Sequence, residues 1–322
     1  MLLCISKCNM KLLHFPLAGL GFAVLAWTAI SPVLATPPAD WRLVFSDEFD
    51  GSKLDTSKWS TTMDFPGTHG PRYHNEFYSS YTLDEDVVVK DGLLSLRTDR
   101  QVVSGTEPVG LFEYSQGLVS TQDKFNFTHG YVEIRAKYPG GKGLWPCFWL
   151  MPVGAQSWPP EFDIAEYYGG QHKMHHGLAY GTMRDVKWDS SGDVETDFVN
   201  EWHTIALEWT QGKAVWYVDN VPRKTVVADY VPDVPMYVIL SNGVSSAYGP
   251  SGAPDENTVF PNAFQIDYIR IWQAPPVLAG GQASPAADTP AAPVAAAPVT
   301  PVKAKPAETP SIVAVLPAAP LP

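Results

Sequence analysis

The chain has 322 residues, 45% hydrophobic and 17% charged, with 11 Trp, 14 Tyr and 14 Phe. That is too apolar for a disordered protein and ample for one large domain or two ordinary ones. The 22 Lys+Arg stand against 34 Asp+Glu, a formal net charge of −12, so the balance argues against a phosphate-binding surface and against nucleic acid as a partner.

Residues 1–35 read as a secretory signal peptide. Lys7 and Lys11 supply a positive start, Leu12 to Ile30 is apolar, and Val33-Leu34-Ala35 puts small residues at −3 and −1, with cleavage expected after Ala35. Met10 is an alternative start. The competing reading is an uncleaved membrane anchor; Pro32 and the small residues favour cleavage, which predicts a secreted, periplasmic or cell-envelope protein with no stable membrane insertion. Cys4 and Cys8 leave with the signal, so no disulfide framework is available. Cys147, inside an apolar run, reads as a buried, inert thiol.

Residues 36–273 carry period-two patterning. Asp86 to Lys90 and Leu93 to Arg97 flank the turn dipeptide Asp91-Gly92, a hairpin signal. Tyr131 to Lys137 alternates, as do Thr204 to Trp209 and Ala214 to Val218 around Gln211-Gly212. Met236 to Leu240 and Phe264 to Trp272 complete the strands. No long stretch has helical spacing. The pattern predicts an all-β jelly-roll sandwich of two antiparallel sheets with a concave cleft. Trp145, Trp149, Trp158, Tyr167, Tyr168, Tyr180 and Trp188 crowd the central third. Flat side chains stack on the apolar faces of pyranose rings, although alternation must send some of these into the core.

The most informative stretch is Glu161-Phe162-Asp163-Ile164-Ala165-Glu166. Glu161 and Asp163, two apart, share one face of a strand while Phe162 and Ile164 face the core. Glu166 lies five after Glu161, an odd offset that would bury its charge at high cost. A β-bulge near Ile164 or Ala165 resets the alternation and puts all three acids on one face. Three neighbouring carboxylates repel, so some hold a proton near neutral pH. A retaining glycosidase needs that arrangement: one carboxylate attacks the anomeric carbon while a protonated one serves the leaving oxygen. A calcium loop is the competing reading, but such loops usually carry Gly and Asn without interleaved Phe and Ile. His172, His175 and His176 invite a zinc reading. The alternative is that one of them, His176, reaches the cleft to bind sugar or a carboxylate.

From Ala274 to Pro322 the chain is nearly all Ala, Pro, Val and Thr, with 12 of the 30 prolines and no aromatic residue. Such a tail is expected to be disordered and extended.

The hexapeptide fits the E-x-D-x-x-E signature of glycoside hydrolase family 16, the laminarinase-like and lichenase-like endo-β-glucanases. Phe45 to Asp50 resembles the family's opening strand, His74-Asn75-Glu76-Phe77-Tyr78 its N-x-E-x-Y segment, and Gly143 to Leu150 its G-x-W-P-A-F-W strand, with Cys147 where Ala is usual. Glu208-Trp209-Thr210 with Trp216 to Asp219, and Ile266 to Trp272, resemble its later strands. The resemblance implies a secreted endo-acting hydrolase of internal β-glycosidic bonds, most readily of β-1,3- or β-1,3-1,4-glucan. It also implies a polysaccharide as partner, a monomer, and no catalytic cofactor. Glu161 would be the nucleophile, Asp163 its assistant and Glu166 the acid/base, with Asn75, Trp145 and Trp149 shaping the glycone side. A structural calcium is implied near Glu48, Gly92 and Asp267. Leu240 to Ser246 and Gly169 to Ser191 depart from the glucanase pattern. That leaves an exopolysaccharide or galactan, transglycosylation, and a non-catalytic carbohydrate-binding protein as alternatives.

Overall fold

The structure, a computed structural model, describes residues 37–64, 69–73, 75–154, 158–171 and 173–275; the signal segment and the tail beyond Pro275 lie outside the described residues. Nearly all regular structure is strand. A ten-stranded sheet holds β1 (Arg42–Asp47), β2 (Ser80–Thr82), β3 (Val87–Lys90), β4 (Leu93–Asp99), β7 (Tyr114–Gln116), β9 (Gly130–Lys137), β14 (His203–Thr210), β15 (Lys213–Val218), β16 (Val221–Val227) and β18 (Asn262–Gln273). A six-stranded sheet holds β8 (Leu118–Ser120), β10 (Leu144–Pro152), β11 (Glu161–Tyr168), β12 (Lys173–Thr182), β13 (Asp185–Glu195) and β17 (Met236–Val244), in the order β13-β12-β11-β10-β17-β8. A separate hairpin pairs β5 (Val103–Thr106) with β6 (Val109–Phe112). The pairings are antiparallel apart from β2 with β7. No described helix is long and apolar enough to cross a membrane.

Alternation divides the six-stranded sheet between two hydrophobic clusters. Phe148, Leu150, Phe162, Ile164, Leu178, Val238 and Leu240 pack against Val132, Ile134, Leu207, Trp209, Trp216 and Ile269 of the larger sheet; this is the main core. From the opposite face Trp145, Cys147, Trp149, Met151, Tyr237 and Ile239 form a second cluster with Met63 and Tyr78. The outer face is therefore apolar too, and it is only partly covered. Burying one side chain of this size contributes on the order of 1.5–3 kcal/mol, so leaving such a face open to water needs a reason. The cleft supplies one.

Candidate active site

The three acids are brought together by a local irregularity in β11. Against β10, Phe148 pairs with Ala165 and the next residue, Trp149, with Asp163, so Ile164 is skipped. Against β12, Asp163 pairs with Gly177 and Glu166 with His175, so Ile164 and Ala165 together oppose His176 alone. This is the two-against-one pattern of a β-bulge. Ile164 and Ala165 both turn into the core, and Glu161, Asp163 and Glu166 all line one cavity of about 680 Å³.

A bulge takes backbone carbonyls out of the ladder, and buried carbonyls need donors. Two side chains provide them. Trp216 Nε1 donates to the carbonyl of Asp163 at 3.0 Å, across the core from β15. His176 Nδ1 donates to the carbonyl of Ile164 at 2.7 Å. His176 is thus not a cleft residue, contrary to the sequence expectation: it is 1% exposed and clamps the bulge from the buried side. Burial pushes its pKa down to about 4, against the pull of the Ile164 carbonyl, so the ring is neutral in the physiological range. Its neighbour His175 shares the row of Glu166 and lies tilted against Tyr168, with ring centroids 4.4 Å apart. The two rings face opposite ways and cannot share a zinc ion. His172 lies outside the described residues.

Each acid has its own surroundings. Glu161 Oε2 accepts from Trp158 Nε1 at 2.6 Å, and Asp163 is within hydrogen-bonding reach of Glu161. Burial raises Glu161, while these two bonds favour its ionised form. Asp163 is driven well above the usual carboxylate range by burial first, then by the charges of Glu166 and Glu161. Of the three acids it is pushed furthest toward its protonated form, in which it donates a hydrogen bond to Glu161. Glu166 Oε1 accepts from Trp145 Nε1 at 2.9 Å and Oε2 from Tyr168 OH at 3.3 Å. Burial and the Glu161 charge outweigh those bonds and push it up to about 7. All three carboxyl groups are thus raised by burial, Asp163 the most, and Glu166 is poised near neutrality. Gly177 makes room for this: a Cβ there would lie 2.5 Å from Asp163 Oδ2.

Asn75, Trp145 and Trp149 all line the same cavity. Asn75 Oδ1 accepts from the Phe77 backbone N–H at 3.0 Å, which leaves its amide to donate. Trp145 stacks on Tyr78 with centroids 4.6 Å apart and planes at 14°. Gly243 permits that stack, since a Cβ there would come 2.5 Å from Tyr78 Cε1. Trp158 and Tyr168, expected only among the aromatics that could stack on sugar, are also donors to Glu161 and Glu166. Their spacing from the acids, three before Glu161 and two after Glu166, was the available signal. Cys147 is buried and its thiol is pushed well up, by burial first, as expected of an inert group. Of the two departing segments, Leu240 to Ser246 lies beneath Tyr78, with Ser241 and Asn242 fully buried. The β12–β13 hairpin instead borders the cavity through Val186, Trp188 and Ser190.

Of the implied calcium set only Asp267 would bring a side chain, with backbone oxygens from near Glu48 and from Gly92. The Asp267 carboxylate pairs with Arg135 Nη1 at 2.6 Å. The Glu48 carboxylate is taken by Arg270 in a two-pronged pair at 2.9 and 2.7 Å. Gly92 occupies a turn with φ of 76°. Among the described residues no three His, Cys, Asp or Glu converge on one point.

A family model described as "Glycosyl hydrolases family 16" matches residues 74–269. "Beta-glucanase" of Rhodothermus marinus is 30% identical over 255 residues, covering 72% of this chain and 85% of that protein. "Glucan endo-1,3-beta-glucosidase A1" of Niallia circulans is 29% identical over 263 residues; the match covers 73% of this chain but only 38% of that longer protein. The catalytic domain of an endo-1,3-beta-glucanase (laminarinase) from Thermotoga petrophila superposes with a TM-score of 0.62 at 28% identity, covering 73% of this chain and 98% of that one.

Proposed function

Because this chain belongs to glycosyl hydrolase family 16, we propose that it is a secreted, monomeric, endo-acting glycosidase that cuts internal β-glycosidic bonds with retention. The Glu161 carboxylate attacks the anomeric carbon as Glu166 passes its proton to the glycosidic oxygen; the bond to the leaving sugar breaks and a glycosyl ester forms on Glu161. Glu166, now ionised, takes a proton from water, the resulting hydroxide displaces Glu161, and the acid is restored. Asp163 keeps a hydrogen bond on Glu161 throughout and eases its departure. Asn75 and Trp145 hold the sugar on the non-leaving side, over a floor that includes Trp149.

The observation that carries this reading is the β11 bulge, which sets Glu161, Asp163 and Glu166 together on one cavity. Both Glu residues accept two hydrogen bonds and are raised by burial, and Glu166, beside the Glu161 charge, is pushed up to about 7, where a general acid works. The relatives are named for β-1,3-glucan and β-glucan hydrolysis, and an acidic protein suits a neutral polymer, so β-1,3- or mixed β-1,3-1,4-glucan is the proposed substrate. The test is a reducing-end assay on a panel of β-glucans and galactans with wild type and Glu161→Gln. The variant should bind without turnover. Wild-type release of product by Glu161→Gln would refute the assignment.

A further inference from the structure

The cleft is continued by a segment that departs from the glucanase pattern. In the β11–β12–β13 register, Glu161 lies opposite Ala179 and Ala179 opposite Trp188. Trp188 therefore stands on the row and face of Glu161, two strand spacings away, about 10 Å. Only a methyl group lies between them. Asn75, Tyr78 and Trp145 are on the other flank of the acids. Trp188 is 51% exposed yet lines the cavity, whereas the described tryptophans of the core are fully buried. A half-exposed indole is costly to keep in water unless something covers it.

Its position is also built. β13 is the sheet's edge, and edge strands are free to shift. Here the next residue, Asp189, points to the opposite face and is held there by Lys224 Nζ at 2.5 Å and Tyr230 OH at 2.8 Å. Tyr230 in turn stacks on Tyr180 of β12, with centroids 4.0 Å apart. The backing fixes the strand, and the strand presents Trp188 to the cleft.

We propose that Trp188 is the platform of a binding subsite for the leaving-side sugar, stacking on the apolar face of a pyranose beyond the cleaved bond. It thereby selects polymer, or an acceptor sugar, over small leaving groups. The inference rests on the retaining reading above, in which Asn75 and Trp145 hold the other side.

The test compares wild type, Trp188→Ala and Trp188→Phe on two substrates: the polymer that wild type hydrolyses best, and an oligosaccharide of the same linkage bearing a 4-nitrophenyl leaving group, which carries no pyranose beyond the cleaved bond. Trp188→Ala should lower kcat/KM on polymer about tenfold, stay within about twofold on the aryl glycoside, and reduce transfer products when an oligosaccharide acceptor is added. Trp188→Phe should recover most of the loss. Asp189→Asn, which keeps the indole but loosens its strand, should give a smaller loss confined to polymer. Equal losses on both substrates, or none on polymer, would overturn the subsite. If wild type cleaves neither substrate, the enzymatic reading falls first and this inference with it.

Discussion

Trp145→Phe separates the electrostatic account from a loss of packing. The substitution keeps an aromatic ring on Tyr78 but removes the Nε1 donor that lies 2.9 Å from Glu166 Oε1. That bond favours the ionised form and is the largest influence opposing the upward push of burial on Glu166. A hydrogen bond to a charged group is worth about 1.5–3 kcal/mol, which corresponds to about 1–2 pKa units. The tip of Glu166 meets the open cleft, so water replaces part of the bond and about one unit remains. Glu166 must be protonated to act as an acid, so the rate falls as pH rises through its pKa. The basic limb of kcat/KM, near pH 7 in wild type, should move to about 8 in Trp145→Phe, whatever happens to the plateau. A limb that stays in place or moves down would refute the reasoning, because no loss of packing alone raises it.

Three further outcomes follow from the same geometry. Gly177→Ala puts a methyl group against Asp163 Oδ2 and should lower kcat on the order of 100-fold in a steady-state assay, with a cooperative melt retained; near-wild-type kcat would mean that Asp163 is not constrained by β12. Glu166 has a folded pKa raised to about 7 from 4.5, so its contribution to stability is fully present below the unfolded value and is lost as pH rises through 7. Glu166→Gln should therefore gain stability over wild type by about 1–2 kcal/mol more at pH 8 than at pH 5, read from urea unfolding at both; equal differences would contradict the raised pKa. With Asp267 committed to Arg135, chelation by EDTA should leave Tm unchanged, whereas a fall of about 5 °C or more would reveal a bound stabilising cation.

The sandwich was legible because alternation was clean in its main strands. Trp145, Cys147, Trp149 and Met151 fall on one face and Phe148 and Leu150 on the other, as period two requires. The bulge was legible for a different reason: only an inserted residue reconciles Glu161, Asp163 and Glu166 with the cost of burying a charge. Its consequence for the neighbouring strand was not. Which of His175 and His176 faces the cleft depends on how β12 registers against the bulged segment, and a one-residue slip exchanges the two. Nothing local to Gly169–His176 encodes that slip. The ion pair of Asp267 was not legible either, since its partner Arg135 comes from a strand 132 residues earlier. Trp188 could be read as an aromatic among others; its face follows from two registers in succession, one of them interrupted at Met174/His176.

The claim on which the rest depends is that the irregularity in β11 sets two chemically different carboxyl groups to work on the same sugar. The direct measurement is to trap the enzyme with an activated 2-deoxy-2-fluoro glycoside of the preferred linkage and locate the label by peptide mass spectrometry. A single glycosyl ester on Glu161, formed by wild type and also by Glu166→Gln, which releases it to water still more slowly for want of the base, is the expected result. A label on Glu166 or Asp163, or rapid turnover to the inverted anomer with no ester formed, would contradict the account.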